Sequence, residues 1–414
     1  MIPKIKNIIA RQIIDSRSTP TVEADVLLED GSFGRASVPS GASTGAKEAK
    51  EKRDGNPEHY EGLGVIQAVK SIEEEIFYHL AEKSLSMEEL DQVLINLDGT
   101  DDKSRLGANA TLAVSLAFVK ALAHSAELPL HFYLGQDFPE HEEMPRPMFN
   151  ILNGGVHADS GLSFQEFMIV PQGANFNEDV QCGVEIYRSL KRLLIEKGLK
   201  TSVGDEGGFA PKLEKNEIAL ELILEAALMA GYEAGADYHL ALDIAAGELK
   251  KESGYLHDGK YLSKENFISE IVSLSEKFPF LSIEDPLDED DSEGFIKLNE
   301  LIGERIIIVG DDYLVTDSKR IEQAAKDRSV GGAIIKPNQI GTVTETLRAV
   351  EVAHKNKIIP IFSHRSGETE DIGIAHLAVA SRVPLVKFGA PARGERTAKY
   401  NELLRIEEEI EVSQ

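Results

Sequence analysis

Three acids, Asp243, Glu284 and Asp311, each close a short apolar run, and two lysines, Lys336 and Lys387, close two more. Carboxylates brought within a few ångströms repel one another and partly protonate unless a cation sits among them. Oxygen donors without Cys or His suit Mg²⁺, a hard ion that keeps waters and completes its shell with substrate oxygens. Taken singly, each acid reads more readily as a cap of the following helix; their repetition on successive units favours the metal. A lysine with its ordinary pKa near ~10.4 is a poor base, but burial and a nearby Mg²⁺ bring it toward ~7–8, where it can take a proton from carbon. Pro337 biases Lys336 to extended backbone at its strand end. Lys387 reads equally as a partner of the acids or as a binder of an anionic substrate group.

A second set surrounds these groups. Glu206 lies in Val203-Gly-Asp-Glu-Gly-Gly-Phe-Ala-Pro211, where glycines let the backbone approach a ligand, and its carboxyl could serve as a general acid. Gln165-Glu166 opens an apolar strand, and two carboxyls placed together raise one pKa, as a proton donor at neutral pH requires. Ser363-His364-Arg365-Ser366-Gly-Glu-Thr369 gathers an imidazole, a guanidinium and hydroxyls suited to phosphate or carboxylate. His157 follows two glycines in a loop, and Ser40-Gly-Ala-Ser43-Thr-Gly45 could fold over phosphate through its N–H groups. Such a mouth wants a small molecule bearing both carboxylate and phosphate. Mg²⁺ on the carboxylate stabilises the dianion formed when the adjacent carbon loses its proton, and an acid opposite expels the β-hydroxyl. The reaction class is elimination of water.

The elements that must position these groups follow from periodicity. Ile5–Ile14, Thr21–Glu29 and Ser32–Val38 read as an antiparallel meander, and helical periods follow at about 61–82, 86–97 and 107–126. This α+β cap is expected over 1–134, with Gly135–Pro147, which carries three prolines and no period, as the boundary. From 135 to 414, apolar runs alternate with amphipathic stretches: Glu166–Val170, His239–Asp243, Leu281–Glu284, Arg305–Asp311, Gly332–Lys336, Ile358–His364 and Pro384–Lys387. A (β/α)₈ barrel would bring their charged ends to one mouth. An open doubly wound sheet is disfavoured because no Gly-x-Gly-x-x-Gly follows a strand.

The chain has 44 Lys and Arg against 71 Asp and Glu, a formal net charge of −27, which argues against nucleic acid and anionic membrane as partners. The single cysteine, Cys182, excludes an intrachain disulfide framework and fits a reducing compartment. Neither a secretory signal nor an apolar run of the ~20 residues needed to span a bilayer is visible, so a cytoplasmic location is expected.

Six segments together resemble the enolase family: Ser40–Gly45, Val203–Pro211, Ser282-Ile-Glu-Asp-Pro286, Lys336-Pro-Asn-Gln-Ile-Gly-Thr342, Ser363–Thr369 and Lys399-Tyr-Asn401. The resemblance implies reversible dehydration of 2-phosphoglycerate to phosphoenolpyruvate by a barrel whose first units depart from strict βα order. It implies Asp243, Glu284 and Asp311 on one Mg²⁺ and Ser43 on a second that arrives with substrate. Lys336 becomes the C2 base and Glu206 the acid, supported by Glu166; His157 belongs to a closing loop. Gln165 and His364 join the substrate site, with Lys387 on the carboxylate and Arg365 and Ser366 on the phosphate. A homodimer or octamer is implied, with Glu23 meeting Arg405 of a second copy.

Departures from the family pattern are Ser18 where Gly is usual, which questions the local turn, His376 in place of Asp, and Phe388 in place of Thr. A superfamily relative acting without phosphate would leave Ser43, Arg365 and Ser366 without a role. An inactive scaffold would be expected to lack Lys336, Glu206 or one of the acids, and all are present.

Overall fold

The computed structural model describes residues 2–41, 45–136, 138, 144–252 and 254–413. Ser43, expected at a second metal, lies outside the described residues. The cap opens with β1 (Ile5–Ile14), β2 (Pro20–Leu28) and β3 (Phe33–Ser37), an antiparallel sheet in that order. Its alternation buries Val22, Ala24, Val26 and Leu28 against the helix Ala108–Ser125, which is apolar on nearly every side and therefore buried on nearly every side. The expected 61–82 helix is interrupted: a 3₁₀ turn at Tyr60–Gly62 precedes a helical run from Ile66 to Leu80 with a π segment at Ser71–Ile76. Met87–Asp98 begins in a reciprocal cap between Ser86 and Glu89 and ends on Gly99 at φ 70°.

Among the described residues eight strands close a barrel: β4 (Arg146–Asn153), β5 (Glu166–Pro171), β6 (Tyr238–Asp243), then, after a small sheet of β7 (Lys250–Lys251), β8 (Gly254–His257) and β9 (Lys260–Ser263), β10 (Phe280–Glu284), β11 (Ile307–Gly310), β12 (Gly332–Ile335), β13 (Ile359–Ser363) and β14 (Leu385–Gly389). β5 pairs antiparallel with both β4 and β6, whereas the other barrel pairs are parallel. Its beginning therefore lies at the same mouth as the ends of the other strands. The barrel interior is plugged by Met148, Met168, Val170, Ala241, Val309, Ile334, Ile361 and Leu385. The sequence pattern predicts no strand at β4, because Pro147 and the polar Asn150 and Asn153 interrupt its apolar run; the strand forms with the proline second in it.

Cap and barrel are joined by polar contacts at that mouth. Ser40 and Gly367 exchange backbone hydrogen bonds of 2.8 and 2.9 Å, and a Cβ on Gly367 would stand 2.3 Å from Asp15 Oδ2. Ala49 N donates to Gln339 O at 2.9 Å, and Lys120 Nζ donates to Asp371 at 2.7 Å. Among the described residues, no helix is long and apolar enough to cross a membrane.

The turn at Ser18 forms despite the missing glycine. Ser18 adopts φ 60°, while Asp15 Oδ1 accepts from the amides of Arg17 and Thr19, each at 2.8 Å. The left-handed conformation costs an L-residue roughly 1–2 kcal/mol, part of which glycine returns as extra unfolded-state entropy. Ser18→Gly should therefore raise unfolding stability by up to about 1 kcal/mol in urea titrations; a loss of stability would show that the serine side chain is needed.

Candidate active site

Register alone places three acids side by side. Glu166 at the start of β5 stands opposite Asp243 at the end of β6, and Asp243 stands beside Glu284 at the end of β10. All three are buried. Unit charges 4 Å apart interact by roughly 4 kcal/mol at an effective dielectric near 20, so this row demands cations. Lys387, from β14, supplies one: its Nζ lies 2.8 Å from both oxygens of Glu284, 3.2 Å from Asp243 and 3.4 Å from Glu166. Asp311, just past β11, is paired with Lys336, just past β12. Gln165 Nε2 donates to Asp243 at 3.2 Å, and Gln339 Nε2 donates to Asp311 at 3.0 Å.

Two sets of three side chains gather N or O atoms within 4.8 Å among the described residues: His157, Glu166 and Glu206, and Asp285, Asp311 and Asp312. The trio Asp243, Glu284 and Asp311 is looser, with lysine ammonium groups seated among its carboxylates. Even so, negative charge remains in excess. Burial, then Asp243, pushes the Glu284 carboxyl well above the ordinary range, and burial with Asp312 and Asp311 does the same to Asp285. Burial and Asp311 raise Asp312 to about 7. An oxygen-only donor set still seeking positive charge fits a hard divalent cation.

Two further pKa directions are set by neighbours that the fold brings in. Burial lowers the Lys336 pKa, as reasoned, but the Asp311 carboxylate outweighs it and the ammonium is held above its ordinary value. Of the two acids, burial and the charge of Glu206 raise Glu166. Glu206 itself, although burial pushes it up, is drawn well down by His364 and His157. Of the two carboxyls, Glu166 is the one whose surroundings favour the protonated form. His157, in the turn Gly155–His157, brings Nδ1 to 3.5 Å from Glu206 and 3.9 Å from Glu166. Asn150 Nδ2 donates to Glu206 at 2.8 Å.

After β13, His364, Arg365 and Ser366 face the same cavity of about 320 Å³ as Lys336, Glu206 and Asp243. Arg365 is buried and gripped from the cap by Glu48, Nη1 to Oε2 at 2.9 Å and Nη2 to Oε1 at 3.3 Å. Glu48 carries no signal in the sequence, because its partner Arg365 lies across the cap–barrel junction; locally it accepts from the Gly45 amide at 3.1 Å. Gln339, whose amide donates to both Glu48 and Asp311, is silent for the same reason, whereas Asn150 and Arg396 are silent because their partners Glu206 and His364 lie far from them in the sequence.

Family models match the two parts of the chain: the enolase N-terminal domain over residues 5–134 and the enolase C-terminal TIM barrel domain over residues 141–414. Proteins named Enolase from Tropheryma whipplei strains Twist and TW08/27 are each 52% identical over 413 residues, covering 98% of this chain and 95% of theirs. The chain belongs to the enolase family. Enolases are lyases, and the cap-plus-barrel architecture expected from sequence is the family's. The departures are absorbed by packing. His376 Nε2 lies 3.1 Å from Glu402, and its ring stacks on His131 at 5.5 Å; Phe388 is buried against Tyr400.

Removing one member of a buried pair strands the other charge, at about 3–5 kcal/mol. Glu48→Ala should therefore lower unfolding stability by that order in urea titrations at neutral pH, and Glu48→Gln by less. A loss below about 1 kcal/mol for Glu48→Ala would show that Arg365 does not depend on the cap.

Proposed function

We propose that this chain reversibly dehydrates 2-phosphoglycerate to phosphoenolpyruvate with two Mg²⁺, with residues 1–134 as cap and 135–414 as catalytic barrel. The observation that carries this reading is one cavity lined by Lys336, by the paired acids Glu166 and Glu206, and by Arg365 and Ser366. A base, an acid and an anion grip around one small space are what elimination of water from a phosphorylated hydroxy acid requires.

Lys336 takes the C2 proton. As long as Asp311 holds the ammonium its pKa stays high, so the base becomes available when Asp311 is engaged elsewhere. Asp243, Glu284 and Asp311 would hold the first Mg²⁺, with Ser43 on the second; bound there, the metal supplies positive charge for the carboxylate and for the dianion left by proton removal. Lys387 gives up part of its carboxylate partnership to meet the substrate carboxylate, with Gln165 bordering that end. Arg365, Ser366 and His364 receive the phosphate end. Glu206 protonates the leaving C3 hydroxyl, drawing on the proton it shares with Glu166, and His157 closes beside the pair. The same reading places the protein in the cytoplasm as a homodimer or octamer, in which Glu23 and Arg405 of different copies meet. Within one chain Glu23 is held by Arg11 at 2.6 Å, and exposed Arg405 pairs with Glu402 at 2.6 Å.

The test is ultraviolet absorbance of phosphoenolpyruvate after 2-phosphoglycerate is added, with Mg²⁺ and then with excess chelator. A rise abolished by chelation is expected; no rise in folded protein contradicts the proposal. In Lys336→Ala, exchange of the C2 proton with solvent should vanish. In Glu206→Gln, dehydration should stop while some exchange survives, and complete loss of exchange would overturn the division between base and acid.

A further inference from the structure

The side chain of Arg396, in the first turn of the helix Gly394–Ser413, is fully buried, yet none of the roles above uses it. Its four Nη hydrogens have four acceptors. Nη1 reaches His364 Nδ1 at 2.6 Å and the Arg365 carbonyl at 2.6 Å. Nη2 reaches the Ser366 carbonyl at 2.7 Å and the Asp205 carbonyl at 3.2 Å. Nε faces Glu395 Oε1 at 3.5 Å. One guanidinium thus ties the loop carrying Glu206 to the segment His364–Ser366.

A guanidinium only donates, and it stays protonated at every accessible pH. The ring nitrogen it meets must therefore accept, which leaves Nδ1 bare and puts the proton of a neutral imidazole on Nε2. Nε2 faces Glu206 Oε2 at 3.3 Å. We propose that Arg396 is a positioning residue: it fixes His364 as the neutral Nε2–H tautomer and thereby sets which group His364 presents to Glu206. This deepens the proposed function, in which Glu206 is the acid.

The surroundings agree. The groups acting on His364 are Glu206, Arg396 and Lys387; burial, with the two cations, outweighs Glu206 and holds the imidazole pKa down at about 3. The backbone is shaped to the same contact. At Gly389, φ 87°, an added Cβ would stand 2.9 Å from the Glu206 carbonyl oxygen, 2.9 Å from His364 Cε1 and 3.0 Å from Arg396 Cδ. The Glu206 backbone and the side chains of His364 and Arg396 thus close on a position that carries no side chain. Lysine could not substitute, because a single ammonium has three donors on one atom and cannot span four acceptors in two loops.

The test is the ¹⁵N spectrum of histidine-labelled intact protein, with His364→Asn assigning the His364 signals. The expected result is a protonated Nε2 and a bare Nδ1 that do not titrate between pH 8 and pH 5. A protonated Nδ1, or an imidazolium forming in that range, overturns the proposal. In Arg396→Met, kcat should fall on the order of 10²-fold with KM little changed. The acid limb of its pH–rate profile should move up from the wild-type position, because a cation that opposes protonation of His364 is gone while its burial remains. Millimolar guanidinium added to Arg396→Ala should restore part of kcat. An Arg396→Met enzyme with the wild-type pH profile also overturns it. The wild-type spectrum decides the tautomer whether or not the variants fold and whether or not 2-phosphoglycerate is turned over, so the two proposals fail separately.

Discussion

Everything at the barrel mouth answers to one electrostatic constraint, the row Glu166, Asp243 and Glu284 that strand register forces into contact. Carboxylates buried at neighbouring positions cannot all stay charged without compensation. Lys387 lies within 3.4 Å of all three, Lys336 answers Asp311, and the cluster still pulls protons onto Glu166 and Glu284. The fold thus holds an excess of negative charge where a hard cation and an anionic substrate could meet. The lysines that balance this charge are the same groups the proposed chemistry needs.

The antiparallel β5 is what makes this arrangement possible. In a barrel of uniform parallel strands, a residue opening a strand would lie at the far end from the catalytic mouth. Reversal of β5 brings Glu166 to the mouth from its strand's start, within reach of Glu206 and His157. The cap completes the other wall. Glu48 neutralises Arg365 and shares Gln339 with Asp311, so Arg365 and the acid cluster are coupled through a residue of the other domain. Cap docking is part of the site's electrostatics as well as of the fold's packing.

Apolar runs ending in Asp243, Glu284, Lys336 and Lys387 made seven of the eight strands and the convergence of their ends legible, because strand burial and period are local properties. β4 was obscured by its own Pro147, Asn150 and Asn153, and the direction of β5 cannot be read from a run whose alternation is the same either way. The pKa directions of Lys336 and Glu206 are not legible in sequence, because each depends on a neighbour brought in by tertiary structure, Asp311 in one case and two histidines in the other. Glu48, Gln339 and Arg396 are ordinary polar residues in sequence and acquire meaning only through contacts across the chain. Ser18 shows the converse. The sequence identified its left-handed turn as a difficulty, and the Asp15 carboxylate holds that turn in place.

The most direct test of this charge account is calorimetric titration of Mg²⁺ into the intact protein near pH 8, in two buffers of different ionisation enthalpy. The account predicts saturable binding accompanied by proton release, since positive charge on Asp311 and Asp243 weakens the hold of the site on its protons, and weaker binding in Asp243→Asn. Binding without proton release and indifferent to Asp243, or no binding at all, would contradict it.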